Sequence, residues 1–311
     1  MWVCTTGSTP GRCERPALIQ QSVSILLGGA FHAAVLFLVA AGLQLVFGVQ
    51  KILNLACGSF YALGAYSGVS AVTWALGAGL PPPLFVLALL AAGLALAAVG
   101  PVIERVLRTI YDRDESFQLL LTFALVLMFE DVIRFVWGTA PYQLGNAYLV
   151  YGQLRVAGST VPVYNLVVIA AGGAIALGMG WLLTRTRFGR IVRATAENRE
   201  MSEALGVDMR RVYARVFTLG VALGTVGGAL VIPATAAMNE MGIELIVEAF
   251  AVVVIGGLGS MRGAFVGALI VGLLKAGAIA TWPEVEMLAI YVIVIGVLVL
   301  RPAGLFARAT S

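Results

Sequence analysis

Charge is scarce in this chain of 311 residues: only 12% are Asp, Glu, Lys or Arg, roughly half the share of an ordinary soluble domain. Lysine occurs only at Lys51 and Lys275, histidine only at His32, and cysteine only at Cys4, Cys13 and Cys57. The cysteines have no paired CxxC spacing and the histidine has no neighbour of its kind, which excludes a metal centre built on such ligands and a disulfide framework. A GxxxxGK[ST] phosphate loop is missing, so no nucleotide site of that type is expected. A lone histidine, with no nucleophile set among paired carboxylates, argues against a membrane enzyme. So little charge leaves too little polar surface for a water-facing shell, which excludes a soluble domain. Disorder is excluded too, because it needs low hydrophobicity and high charge.

What is abundant is apolar sequence: 60% of residues are hydrophobic, against about 45–50% in soluble domains. Mean hydropathy is +0.96. The expected fold class is all-α, a polytopic transmembrane helical bundle. Residues 1–16 form a polar N-terminal tail, 17–306 a single membrane domain and 307–311 a C-terminal tail. The tail carries Arg12 and Arg15 before an apolar run, as a signal peptide does, but 23–47 holds no formal charge and is too long for a cleaved segment. An uncleaved first helix is expected. With about 20 apolar residues needed per crossing, spans are expected near 22–47, 55–78, 84–102, 118–137, 162–184, 212–236, 264–281 and 287–300. The piece 249–259 is short enough for a half-helix or re-entrant segment. That makes eight or nine spans, some broken.

Arginine orients them. Eight arginines lie in 185–215, which marks that connection as cytoplasmic. Counting outward, Lys51, Arg105, Arg108, Arg113, Arg262, Arg301 and Arg308 fall on the same side, with Arg155, Arg12 and Arg15 opposite. The amino terminus is then periplasmic and the carboxyl terminus cytoplasmic. An additional interfacial helix near 17–27 would reconcile Arg12 and Arg15 with that topology.

Glycines recur every four residues at Gly220, Gly224 and Gly228, at Gly259, Gly263 and Gly267, and at Gly64 and Gly68. This spacing stacks them on one helix face, where another helix can approach closely. Packing within one bundle is the expectation, and pairing between subunits the alternative.

Three segments carry functional information. In the arginine-rich connection, Asn198 fits a helix N-cap and Gly206 a C′ residue. The short helix between them sets Met201 and Leu205 on one face, suited to docking in a groove of another protein. At 42–66 an apolar run is interrupted by Gly48, Gln50, Lys51 and Asn54, which fits either a loop between spans or a broken helix facing a cavity. At 250–277, Gly256, Gly257, Gly259 and Gly263 interrupt two apolar stretches, as a tight turn between half-helices does. Charges inside the spans are also candidates for function. Glu130 and Arg134 are spaced to pair on one helix face, near Asp131, and a pathway role for them is the alternative. Lys275 lies too deep in its span to snorkel.

With these residues in view, the chain resembles the permease subunit of bacterial branched-chain amino acid ABC importers, the leucine/isoleucine/valine type, from about residue 19 to 306. The likeness is carried first by Gly42, Leu43, Phe47, Gly48, Asn54, Ala56, Gly58, Gly64, Ala65 and Tyr66. Gly256, Gly257, Gly259, Ser260, Gly263 and Ala264 carry it in the glycine turn. In the cytoplasmic loop it rests on Gly189, Arg190, Arg193, Ala194, Ala196, Glu197, Leu205, Gly206 and Arg211. The wording at 193–198 is nearer the shorter of the family's two permease paralogues.

The resemblance implies a non-catalytic pore subunit in the inner membrane that imports branched-chain or related amino acids by ATP-driven alternating access. The implied partners are a second permease subunit (a paralogue or a second copy), two cytoplasmic ATPase subunits and a periplasmic substrate-binding protein. The chain itself is expected to bind no cofactor, ATP and Mg being used by the partner ATPases. The loop 185–211 becomes the ATPase contact, through Gly189, Arg190, Arg193, Glu197, Asn198, Met201, Leu205 and Gly206. The candidate translocation pathway is Asn54, Cys57, Ser59, Glu130, Gly256, Gly257, Gly259 and Lys275. Cys57 and Ser59 stand where many members carry His and Glu, and Lys275 where many carry Glu. Those departures bear on the solute, and relatives on this scaffold import urea, short amides or other small polar solutes. A secondary transporter working without an ATPase is the competing class; it would have no use for a docking helix.

Overall fold

The computed structural model describes residues 15–79, 81–111, 113–144, 148–156, 159–300 and 304–306. It is an all-α bundle. The helices are α1 (Arg15–Gln50), α2 (Cys57–Gly77), α3 (Phe85–Leu96), α4 (Gly100–Leu107), α5 (Glu115–Trp137), α6 (Val163–Arg185), α7 (Arg187–Glu197), α8 (Arg199–Ala204), α9 (Met209–Val231), α10 (Met241–Gly256), α11 (Met261–Thr281) and α12 (Glu286–Leu300). A small antiparallel hairpin, β1 (Gln153–Val156) with β2 (Ser159–Pro162), precedes α6. Among the described residues, five stretches are long and apolar enough to cross a membrane: Gln20–Gln50, Phe85–Ile110, Val163–Arg185, Met209–Val231 and Met261–Thr281. Residues 1–14, 301–303 and 307–311, with Arg12, Arg301 and Arg308, lie outside the described residues.

No separate interfacial helix is present at 17–27; those residues are the first turns of α1. Nothing in 17–27 breaks a helix, since the Pro at 16 sits in the first turn, where its missing N–H is harmless. At 36 residues α1 is about 54 Å long, more than a bilayer core of about 30 Å. The rod Phe85–Ile110 is continuous but tightens into a 3₁₀ turn at Ala97–Val99, where Pro101 cannot donate to the preceding turn.

Helix α9 is the axis of the bundle. Its glycines face α1 and α2 of the same chain: a Cβ on Gly220 would meet Gly42 O at 3.1 Å, and one on Gly228 would meet Tyr61 O at 1.8 Å. The glycine stripe on α9 therefore packs within the bundle.

Tyr213 marks one end of the bundle. Gln50 Nε2 donates to its carbonyl at 3.3 Å, the Tyr111 ring lies 5.4 Å away, and the Arg199 guanidinium stands 5.7 Å from its ring centroid. The arginine-rich connections thus share this end. Burial and the neighbouring Glu104 push the Tyr111 phenol above its usual range, so it stays a neutral donor there. At the other end Trp137 Nε1 donates to Ser70 Oγ at 2.7 Å, and Tyr142 forms a β-bridge with Ala237.

Of the apolar piece 249–259, residues 249–256 are the second half of a longer helix, α10, of 16 residues, and 257–259 lie in the turn after it. Glu244 and Glu248 interrupt its hydropathy, which is why the sequence suggests only its second half. Glu248 is matched by Lys275 on α11.

Candidate functional site

The arginine-rich connection folds as two helices. Thr186 caps α7, its Oγ1 accepting from Gly189 N at 3.1 Å. Gly189 is buried against the end of α6, where a Cβ would lie 2.3 Å from Leu183 O and 2.4 Å from Leu182 O. Only glycine lets α7 fold back this closely. Arg190, Arg193 and Glu197 are exposed along α7. Asn198 then leaves helical geometry and caps α8, its Oδ1 accepting from Met201 N at 2.9 Å. Gly206 ends α8 with φ +83°. Its N–H donates to Glu203 O at 2.9 Å, and that of Val207 to Ser202 O at 3.1 Å, the paired bonds of a Schellman close. Ser202 is buried below, while Met201 and Leu205 are 58% and 78% exposed. A helix of six residues is too short to hold itself; caps at both ends and the buried Ser202 hold it here. The expected cap, C′ glycine and paired apolar side chains are in place. Helix α7 is additional to the single helix expected.

In the interior, α1 ends at Lys51 with φ +59°, and 51–56 is non-helical. Gln50 sits at Tyr213, yet the first turn of α2 sits beside Gly224, the would-be Cβ there meeting Cys57 O at 3.5 Å. Those positions on α9 are about 16 Å apart. The segment 51–56 therefore climbs deep into the bundle before α2 begins, as the broken-helix reading expects. Asn54 organises the climb: its Oδ1 accepts from Ala56 N at 3.1 Å and its carbonyl from Cys57 N at 3.3 Å. Asn54 and Cys57 are buried.

Ser59 and Glu130 come together. They line a small crevice of about 10 Å³ between α2, α5 and the start of α10, with Ala62, Val126, Ile133 and Ile243 among its walls, room for about one water molecule. Glu130 pairs with Arg134 one turn further along α5. Asn239 borders the same cleft and accepts from Tyr66 OH at 2.8 Å.

The glycine motif is a turn between α10 and α11. Gly257 and Gly259 have φ of +93° and +83°, conformations that side chains disfavour. Gly256 and Gly263 touch across it, a Cβ on Gly263 falling 2.0 Å from Gly256 O. Ser260 Oγ caps α11 by accepting from Gly263 N at 3.1 Å. From α1, Gln44 Nε2 donates to Gly257 O at 2.6 Å and Ser260 O at 3.0 Å. The carboxyl-terminal backbone covers the rest: Leu305 N donates to Ile255 O at 2.9 Å and Phe306 N to Gly256 O at 3.1 Å. The carbonyls at and just after the end of α10 are thus satisfied by a side chain and the turn at 304–306. Lys275 Nζ donates to Glu248 Oε1 at 2.6 Å, tying α11 to α10 away from the turn.

Of the expected pathway residues, then, Ser59 and Glu130 share a cleft, while Asn54 and Cys57 shape the segment beneath it. Gly256, Gly257 and Gly259 form the turn, and Lys275 joins two helices. Sequence reasoning missed Gln44, Asn239, Glu248 and the segment 304–306. Glu248 carried a signal, since Glu240, Glu244 and Glu248 repeat every four residues; the other three carried none.

Comparison with known proteins adds independent findings. Residues 25–299 match the family model described as branched-chain amino acid transport system / permease component. The high-affinity branched-chain amino acid transport system permease protein BraD of Pseudomonas aeruginosa is 28% identical over 300 residues, covering 93% of this chain and 96% of that protein. Protein LivH of Escherichia coli, with the same description, is 26% identical over 279 residues, 87% of this chain and 91% of its own. A solved inward-facing metal-chelate type ABC transporter is 15% identical and aligns over 94% of this chain and 92% of its own, with a TM-score of 0.49.

Proposed function

This chain belongs to the branched-chain amino acid transport permease family, and from that premise we propose that it forms one half of an ATP-driven import pore, coupled to its motor through α8. It is a multi-pass inner-membrane permease component and not an enzyme. In the proposed assembly it pairs with a second permease subunit, a paralogue or a second copy. Two cytoplasmic ATPases use ATP and Mg beneath the pair, and a periplasmic binding protein delivers branched-chain or related amino acids from above. This chain binds no cofactor.

The observation that carries the reading is the pair Met201 and Leu205. Two large apolar side chains stand exposed on a capped helix, within a loop rich in arginine. Exposed apolar groups rimmed by charge fit a groove in a partner. Helix α7 leans on the end of α6, and α8 leads through Asp208 into α9. A push on α8 would therefore reach the axial helix and switch access between the two sides. In this topology the Tyr213 end is cytoplasmic, the amino terminus periplasmic and the carboxyl terminus cytoplasmic, following the arginines. Helices α2, α5, α10 and α12 join the five long apolar stretches to complete the crossings.

The test is Leu205→Asp in the assembled complex. Solute-dependent ATP hydrolysis and uptake should fall at least tenfold while the protein still inserts. Normal solute-stimulated hydrolysis would overturn the docking role.

A further inference from the structure

Two irregularities meet at the end of α1. Lys51 holds φ +59°, a left-handed backbone that a side chain disfavours. Beside it, Gln50 Nε2 donates to Tyr213 O at 3.3 Å, yet the buried Gln50 Oε1 accepts no hydrogen bond among the described residues. A strained residue next to an unsatisfied amide costs free energy and persists only where surrounding contacts impose it. The imposing contact is Tyr213, buried on α9. Its carbonyl holds Gln50, and its ring is touched from two other elements. Arg199, in the first turn of α8, places its guanidinium 5.7 Å from the ring centroid. Tyr111 packs its ring edge-on at 5.4 Å. Tyr111 belongs to the turn before α5, which Gln118 braces by donating to the carbonyls of Ile110, Tyr111 and Arg113 at 3.0–3.5 Å. One turn further along α5, Thr122 Oγ1 donates to Leu53 O at 3.4 Å, inside the climbing segment. The residues around Tyr213 thus join α8, the broken end of α1 and the start of α5.

We infer that Tyr213 is a positioning residue of the transport cycle, the node at which displacement of α8 passes to the segment 51–56 and to the start of α5. Arg199 attaches α8 to the ring by a cation–ring contact, so a shift of α8 pulls on the ring from the side. The hold of the Tyr213 carbonyl on Gln50 then loosens. Lys51 is free to leave its left-handed geometry, and Gln50 Oε1 is free to turn toward a donor. The strain at Lys51 and the unsatisfied amide both favour that release, so the end of α1 has a second arrangement to move to, as a coupling element must. The inference rests on α8 being the motor contact and adds the interior element that the contact moves.

Amide hydrogen exchange of the full complex in lipid nanodiscs, with and without ATP and vanadate, tests this. In the unmodified complex ATP should change exchange in α8 and in 51–56 together. Tyr213→Leu should keep the α8 response and reduce the response of 51–56 at least fivefold, and solute-stimulated ATP hydrolysis should fall by a similar factor. Tyr213→Phe keeps the ring and the carbonyl and should recover both. Arg199→Met is the second variant. Its side chain is 47% exposed, so the bundle does not depend on it for folding, and the response of 51–56 should fall at least twofold. An unchanged response of 51–56 in either variant overturns the inference while the α8 reading stands. So does an unmodified complex in which only α8 responds, or a Tyr213→Leu complex that exchanges faster throughout without nucleotide, which would mark a merely structural role. An unmodified complex whose α8 ignores ATP overturns both.

Discussion

Replacing Lys275 by methionine removes the ammonium that meets Glu248 across the α10–α11 contact. The two groups lie 2.6 Å apart, and their side chains are only 17% and 12% exposed. An exposed pair would contribute less than about 1 kcal/mol. Removing one partner of a buried pair instead costs about 3–5 kcal/mol, because the remaining charge loses its compensation. Burial here is deep but incomplete, which places the expected loss near the lower end, about 3 kcal/mol. At roughly 2 °C per kcal/mol for a chain of this length, the apparent Tm should drop by about 6 °C. Glu248→Met should act similarly. The double variant should recover most of the loss, since a buried ion pair and an apolar pair of like volume differ little in stability. The assay is thermal unfolding of the purified complex in one detergent, for all four members of the cycle. Losses that simply add in the double variant would refute the reasoning, because they would mean the two side chains do not stabilise each other.

Gly228→Ala should destabilise by about 1–3 kcal/mol, since its methyl group would meet Tyr61 O at 1.8 Å and push α2 from α9. Gly178→Ala, with open space around it, should be neutral or stabilising by up to about 1 kcal/mol; equal Tm values for the two would contradict the packing described. Single cysteines at Lys51, Arg190 and Arg211 should react with an impermeant thiol reagent only after the inner membrane is opened, and labelling of intact cells would reverse the topology.

Much of this architecture is legible in the sequence because the bilayer imposes one rule, that apolar runs span and arginine stays inside. The caps of α8 are legible for a local reason: Asn198 and Gly206 need only their own neighbours to act. The extent of α10 is not, since Glu248 reads as a break until Lys275, on another helix, is placed beside it. Gln44 is hidden in the same way; its role depends on two carbonyls more than two hundred residues away. The cleft is half legible. Glu130 and Ser59 stand out as polar groups in apolar sequence, but their meeting depends on the climb of 51–56, which sets the starting depth of α2. The glycines show the converse case: spacing predicts a close approach, and only the fold reveals that α9 uses it on its own chain.

We propose that α8 is the surface through which a motor subunit drives this permease. The most direct measurement is site-specific cross-linking from a photoreactive residue at Leu205 in the assembled complex. A single adduct with the ATP-hydrolysing subunit is expected, lost when the complex is dissociated and changed in yield by ATP. Adducts only with lipid, or with a second permease subunit, would contradict it.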